Sequence, residues 1–282
     1  MSRRLPSNRA AWIAFAILWF FGCRGPTTPA QPAPSEAPAA TVAPEAGDHD
    51  RGKEGGEEAS NAGRPVAPEP EGTEDLAPLD FVEFVTAGAD TEATLPMVVL
   101  VHGLGDRPER FSTALRDFDV PVRVVAPRAP TPWHDGGSWF PVRARDPDVE
   151  ALARGVATAA DRLAAAIRWF ESVHPTQGKP IVTGFSQGGI LSFAVAVRHP
   201  DVVAAAVPVG GLLPDPLLPD KLPSDPPPIV ALHGTEDRTV AYDRARRTVE
   251  HLARMGWPAR LESFPGVGHT IPKPMHRAWL TT

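Results

Sequence analysis

A serine flanked by glycines, Gly184-Phe185-Ser186-Gln187-Gly188, separates the apolar run Ile181-Val182-Thr183 from a second run, Ile190 to Ala196. Strand, sharp turn and helix is the setting in which the serine of G-x-S-x-G becomes a nucleophile. The turn is tight, and glycine, without a Cβ, clashes least on either side of it. The hydroxyl then stands above a sheet edge at a helix N-terminus. Free N–H groups and the helix dipole there favour the negative charge that develops in acyl transfer. An unassisted hydroxyl is a weak nucleophile, so a base and an acid must be found elsewhere in the chain.

The order required on such a scaffold is serine, acid, histidine. Pro228 to Leu232 reads as a strand that runs into His233-Gly234-Thr235-Glu236-Asp237, and Phe264 leads through Gly266 and Gly268 to His269. Ser186, Asp237 and His269 each follow the C-terminal end of a predicted strand, where loops of a parallel sheet converge on one crevice. In this reading Ser186 attacks an acyl carbonyl, His269 relays the proton and Asp237 orients the imidazole. Glu236 is the neighbouring alternative for the acid, and Asp215, Asp220 and Asp225 are more distant ones. Among the other histidines, His233 braces the acid loop, His251 falls in a helix and His276 lacks a strand-end setting. The oxyanion needs two preorganised N–H donors. Gln187, next after the nucleophile, supplies one, and the loop His102-Gly103-Leu104-Gly105 supplies the other. Trp133, His134, Trp139 and Phe140 surround Gly136 and Gly137. Trp133, Trp139 and Phe140 are expected to wall a substrate pocket on a glycine-hinged lid, the alternative for Trp139 and Phe140 being core packing.

The elements that must position these groups alternate. Phe81–Val85 has strand periodicity, and Met97–Val101 and Val122–Ala126 are apolar runs suited to strands buried on both faces. Val149 to Ser172 carries Leu152, Val156, Leu163, Ile167 and Phe170 on one helical face. Then follow the Ile181 strand, the Ile190 helix, a strand from Val202 to Val209, the Ile229 strand and a helix from Tyr242 to Met255. A last strand runs from Ala259 to Phe264, and a short helix from Lys273 to Leu280 closes the chain. Such alternation implies an α/β fold, a mainly parallel sheet with helices on both faces, over residues 79–282.

Several blocks extend the pattern: His102-Gly103-Leu104-Gly105-Asp106, Pro127-Arg128-Ala129-Pro130, Ser138-Trp139-Phe140, Gly184 to Gly189, His199-Pro200, Leu232 to Asp237 and Gly268-His269-Thr270. In this order they resemble the α/β-hydrolase fold. More narrowly, they resemble the phospholipase/carboxylesterase family that includes acyl-protein thioesterases. The resemblance covers about 200 residues from Leu79 onward. It departs at Pro141, where an aspartate often follows Ser-Trp-Phe, and in the proline-rich stretch Leu213 to Pro228. It implies a serine hydrolase of carboxylic esters or thioesters that needs no cofactor, with the acid at Asp237 and the second oxyanion donor at Leu104. An esterase acting on polysaccharides or polyesters, and a catalytically silent binding protein on the same scaffold, stand as alternatives.

The 282-residue chain carries 28 basic and 34 acidic side chains, a formal net charge of -6, so electrostatics give nucleic-acid binding little support. No metal-ligand spacing or phosphate-binding glycine loop occurs, and no metal is expected. Arg3, Arg4 and Arg9 precede an apolar stretch, Ala10 to Phe21, about a dozen residues long, which suits a signal h-region better than a membrane span. Residues 1–22 are therefore expected to be a signal peptide. Cys23 is the single cysteine, which excludes an intramolecular disulfide. Its position after Gly22 resembles the lipobox of a bacterial lipoprotein, implying cleavage before Cys23, acylation there and a membrane anchor facing the periplasm or cell exterior. A plain signal peptide is the alternative. Residues 23–78, rich in Pro, Ala, Glu and Gly, cannot bury enough apolar surface to offset ordering entropy and are expected to form a disordered tether.

Overall fold

The computed structural model describes residues 79–141, 143–145 and 148–282. The expected signal peptide, Cys23 and the tether lie outside the described residues. Among the described residues nine strands form in chain order: β1 (Phe81–Val85), β2 (Met97–Val101), β3 (Arg123–Pro127), β4 (Thr131–Trp133), β5 (Gly136–Ser138), β6 (Ile181–Phe185), β7 (Ala205–Val209), β8 (Ile229–Gly234) and β9 (Ala259–Phe264). The helices are α1 (Pro108–Phe111), α2 (Val149–Val173), α3 (Gln187–Arg198), α4 (Tyr242–Arg254) and α5 (Lys273–Thr281).

Seven strands join one sheet in the order β1-β3-β2-β6-β7-β8-β9. Only β1 runs antiparallel, against β3. The rest are parallel, with Val101 opposite Gly184 and Phe185 opposite Val209. Because side chains alternate along a strand, each central strand feeds two cores. Met97, Val99 and Val101 of β2 pack on one face with Leu152, Val156, Leu163, Ile167 and Phe170 of α2 and with buried residues of α3 and α4. Leu100 faces the other way, joining Leu232, Met275 and Trp279. Each large apolar side chain so buried contributes about 1.5–3 kcal/mol relative to exposure. Asp148 caps α2, its carboxylate accepting the Ala151 N–H at 2.8 Å.

The order of strands fixes the place of the site. From β2 the chain moves outward to β3, whereas from β6 onward it moves the opposite way. The neighbours β2 and β6 therefore flank the point of reversal, and the loops beyond their C-terminal ends splay apart and leave a crevice. Those loops carry Leu104 and Ser186.

Two elements differ from expectation. Val202 and Val203 are buried in the loop before β7 rather than in the strand, because apolar content alone does not separate a buried loop end from a strand. Gly136 and Gly137, expected to hinge a lid between Trp133 and Phe140, lie in the hairpin of β4 and β5. Its glycines serve close packing: a Cβ on Gly136 would lie 2.3 Å from the Asp106 carbonyl oxygen, and one on Gly137 would lie 2.9 Å from the Ala129 Cβ.

Candidate active site

Ser186 stands between β6 and α3 with φ 58° and ψ -116°, a conformation rare for a non-glycine residue and costing about 1–3 kcal/mol. The surroundings hold it there. A Cβ on Gly184 would sit 2.3 Å from the Val101 carbonyl oxygen, and one on Gly188 only 1.9 Å from the same atom. β2 thus presses on both sides of the turn, which is why the motif needs glycine at both positions. The Ser186 N–H is tied to the Val209 carbonyl at 3.0 Å.

The three side chains singled out by chain order meet. His269 Nε2 lies 2.9 Å from Ser186 Oγ, and His269 Nδ1 lies 2.6 Å from Asp237 Oδ2. The network defines one tautomer: Nδ1–H donates to the carboxylate and Nε2 accepts from the hydroxyl. The imidazole stacks on Phe185, ring centres 4.7 Å apart. Asp237 is buried, whereas Glu236 is exposed, and Asp215, Asp220 and Asp225 are all exposed. Asp237 Oδ1 accepts the Thr239 and Val240 N–H groups, each at 2.9 Å. His233 Nε2–H is shared between the Val240 carbonyl at 2.9 Å and Asp237 Oδ2 at 3.3 Å. Burial pushes the Asp237 carboxyl up, but the hydrogen bonds from His233, His269 and the Val240 N–H outweigh it and hold the group far below the usual carboxylate range. It is therefore an anion beside the imidazole at neutral pH.

Leu104 and Ser186 share a cavity of about 220 Å³, together with Gln187, Ile190, Val240 and the arginines Arg143 and Arg145. Gln187 opens α3, where the first N–H groups have no intrahelical acceptor. Among the described residues, neither the Leu104 nor the Gln187 N–H donates to another backbone group. The Leu104 loop is braced around that free donor. Gly105 N–H binds the Gly137 carbonyl at 2.9 Å, and Gly105 takes φ +74°. His102, fully buried, donates from Nδ1 to the Gly103 carbonyl at 2.8 Å and accepts the Ala129 N–H on Nε2 at 3.1 Å.

The structure does not bring the three expected pocket aromatics to the cavity. Trp139 and Phe140 are 5 % and 2 % exposed and belong to the core, with Trp139 Nε1–H bonded to the His102 carbonyl. They shape the loop from behind. Trp133 is half-buried on the hairpin, its indole against Gly105. Two features escaped the sequence reading. The Gln187 carboxamide turns away from solvent to clamp Trp139 and Phe140, and the Arg143-Ala144-Arg145 segment reaches the cavity. The nearest sequence signal for the second was two arginines one residue apart after Ser-Trp-Phe.

A mostly parallel sheet, a serine at a forced turn after a central strand, and an acid and a histidine from later strand ends define an α/β-hydrolase. The chain belongs to the phospholipase/carboxylesterase family, which it matches over residues 82–279. It is similar to acyl-protein thioesterase 1 of Gibberella zeae, 25% identical over 218 residues covering 69% of this chain and 89% of that one. Carboxylesterase SOBER1 of Arabidopsis thaliana is 24% identical over 197 residues, 62% of this chain and 83% of that one. The crystal structure of esterase PE8 superposes with a TM-score of 0.62 at 26% identity, covering 73% of this chain and 97% of that one. The protein is accordingly an enzyme, a serine hydrolase of the carboxylesterase type.

Proposed function

We propose that the chain hydrolyses carboxylic esters or thioesters through a covalent acyl-enzyme on Ser186. Ser186 Oγ bonds to the substrate carbonyl carbon as its proton passes to His269 Nε2. The carbonyl oxygen takes up the negative charge, held by the N–H groups of Leu104 and Gln187, and Asp237 stabilises the imidazolium. The C–O or C–S bond then breaks, and His269 returns the proton to the departing alcohol or thiol. Water repeats the sequence in reverse roles: His269 takes its proton, its oxygen attacks the acyl carbon, and Ser186 leaves reprotonated. The observation that carries this reading is the continuous chain Asp237–His269–Ser186, with links of 2.6 and 2.9 Å and a serine held at positive φ. The names of the similar proteins, acyl-protein thioesterase and carboxylesterase, support both bond types. Treatment with a fluorophosphonate probe tests it: a single adduct on the Ser186 peptide is expected, and labelling that persists in Ser186→Ala ends the proposal.

We infer from the N-terminal sequence alone that the enzyme is exported and anchored through acylated Cys23. The support is the basic start, the Ala10 to Phe21 run and the position of Cys23. Two or more acyl chains give stable attachment. In a bacterial host the full chain is expected in the membrane fraction and Cys23→Ser in the soluble one; equal partitioning of the two contradicts anchoring.

A further inference from the structure

Among the described residues, the cavity at Ser186 is charged in one sense only. Its apolar walls are Leu104, Ile190 and Val240, its charged residues are Arg143 and Arg145, and no carboxylate lines it among the described residues. This occurs in a chain whose acidic side chains outnumber its basic ones, 34 to 28. Asp237, the acid of the catalytic chain, is buried with both oxygens engaged by four donors and is not part of the cavity lining. Among the described residues neither Arg143 nor Arg145 forms an ion pair.

The residue between the two exposed arginines is held from another element. Between them Ala144 packs against the buried cluster of Leu212, Val240 and Ala245. The Ala144 carbonyl accepts Arg244 Nη1–H at 3.0 Å, and Arg244 comes from α4, a hundred residues away. Arg143 lies over the Trp133 ring, 5.8 Å from its centre, within cation–π range. A planar guanidinium offers paired N–H donors matched to a carboxylate, and anchoring its backbone lowers the entropy lost when it binds one.

Resting on the serine-hydrolase reading, we propose that Arg143 and Arg145 form an anion subsite beside the nucleophile, and that the preferred substrates are esters bearing a carboxylate on the acyl chain or on the leaving group. The anion sits at the open, solvated end of the cavity while the apolar walls receive the intervening carbons. The reacting carbonyl is thereby oriented toward Leu104 and Gln187.

Two matched substrate pairs test this. One is 4-nitrophenyl hydrogen glutarate against 4-nitrophenyl butyrate, the other 4-acetoxybenzoate against its methyl ester, each after subtraction of the uncatalysed rate. The quantity read is the ratio of kcat/KM, anionic over neutral. In at least one pair the ratio is expected to fall about tenfold in R143Q/R145Q, further in R143E/R145E, and least in R143K/R145K, with KM carrying most of the change. The glutarate pair responding places the anion on the acyl side, and the benzoate pair responding places it on the leaving-group side. The wild-type preference should also weaken from 0.05 to 0.5 M NaCl, and that of R143Q/R145Q should not, because a solvated pair is screened by salt. Neutral esters turned over by the wild type with both ratios unmoved by substitution overturn the subsite and leave the hydrolase reading standing. Failure of the wild type to turn over any of the four esters overturns both.

Discussion

The carboxamide of Gln187 clamps Trp139: its Oε1 accepts the Trp139 N–H at 3.0 Å while its Nε2–H₂ donates to the Phe140 carbonyl at 2.9 Å. The residue after the nucleophile thus serves twice. It lines the cavity beside Ser186, and its side chain fastens the Ser-Trp-Phe block that in turn supports the Leu104 loop through Trp139 Nε1 and the His102 carbonyl.

The two roles separate in Gln187→Ala. Truncation leaves the buried Trp139 N–H without a partner, at about 1–3 kcal/mol for such a group, and removes one of two donors to the Phe140 carbonyl, which keeps the Ser138 hydroxyl at 2.8 Å, while the backbone donor at 187 remains. A stability loss of about 2–4 kcal/mol in urea titration is expected, with a smaller proportional loss in kcat. An unchanged midpoint would mean that the clamp adds nothing to the fold.

His233 touches no part of the cavity but steadies Asp237 through a hydrogen bond shared with the Val240 carbonyl. The Val240 N–H is itself a donor to Asp237 Oδ1, so one imidazole braces both oxygens of the carboxylate. Hydrogen bonds to charged groups contribute about 1.5–3 kcal/mol, so His233→Ala is expected to lower kcat about tenfold or more. KM should stay within about twofold, because no substrate contact is lost. A rise in KM with kcat retained would contradict a positioning role.

His102 predicts a pH dependence of stability. Burial lowers its pKa from the ordinary value of about 6.5, outweighing the raising effect of its bond to the Gly103 carbonyl. Protonation would also cost Nε2 the Ala129 N–H it accepts. Below about pH 6.5 the unfolded chain takes up a proton at His102 that the native state refuses. Its contribution to stability is therefore complete above that pH and declines as pH falls toward the lowered native value. Between pH 6.5 and 5 the wild type should lose stability faster than His102→Gln, by up to about 1.4 kcal/mol per pH unit. Parallel curves would show that His102 does not titrate with folding.

The framework was legible because its signals are local. Continuous apolar runs marked β2 and β6, helical spacing marked α2, and Gly184 and Gly188 marked a tight turn around Ser186. Chain order then nominated Ser186, Asp237 and His269, whose side chains meet in the structure. What escaped depended on long-range packing. Trp139 and Phe140 have the composition of a pocket wall, but their direction is set by a carboxamide 48 and 47 residues away in sequence. Gly136 and Gly137 read as a hinge, whereas the Asp106 and Ala129 atoms they accommodate lie in other loops. Nothing local marks Arg143 and Arg145, because the contact that holds the segment between them comes from Arg244, a hundred residues on.

The most direct test of the central claim is pre-steady-state hydrolysis of 4-nitrophenyl acetate, with intact-mass measurement of the quenched enzyme. A covalent intermediate on Ser186 predicts a burst of 4-nitrophenol near one equivalent and a transient acetyl adduct on that serine. Both should be absent in Ser186→Ala and slowed by at least about a thousandfold in His269→Ala. A full-sized burst in Ser186→Ala, or an adduct mapping to another residue, would contradict the account.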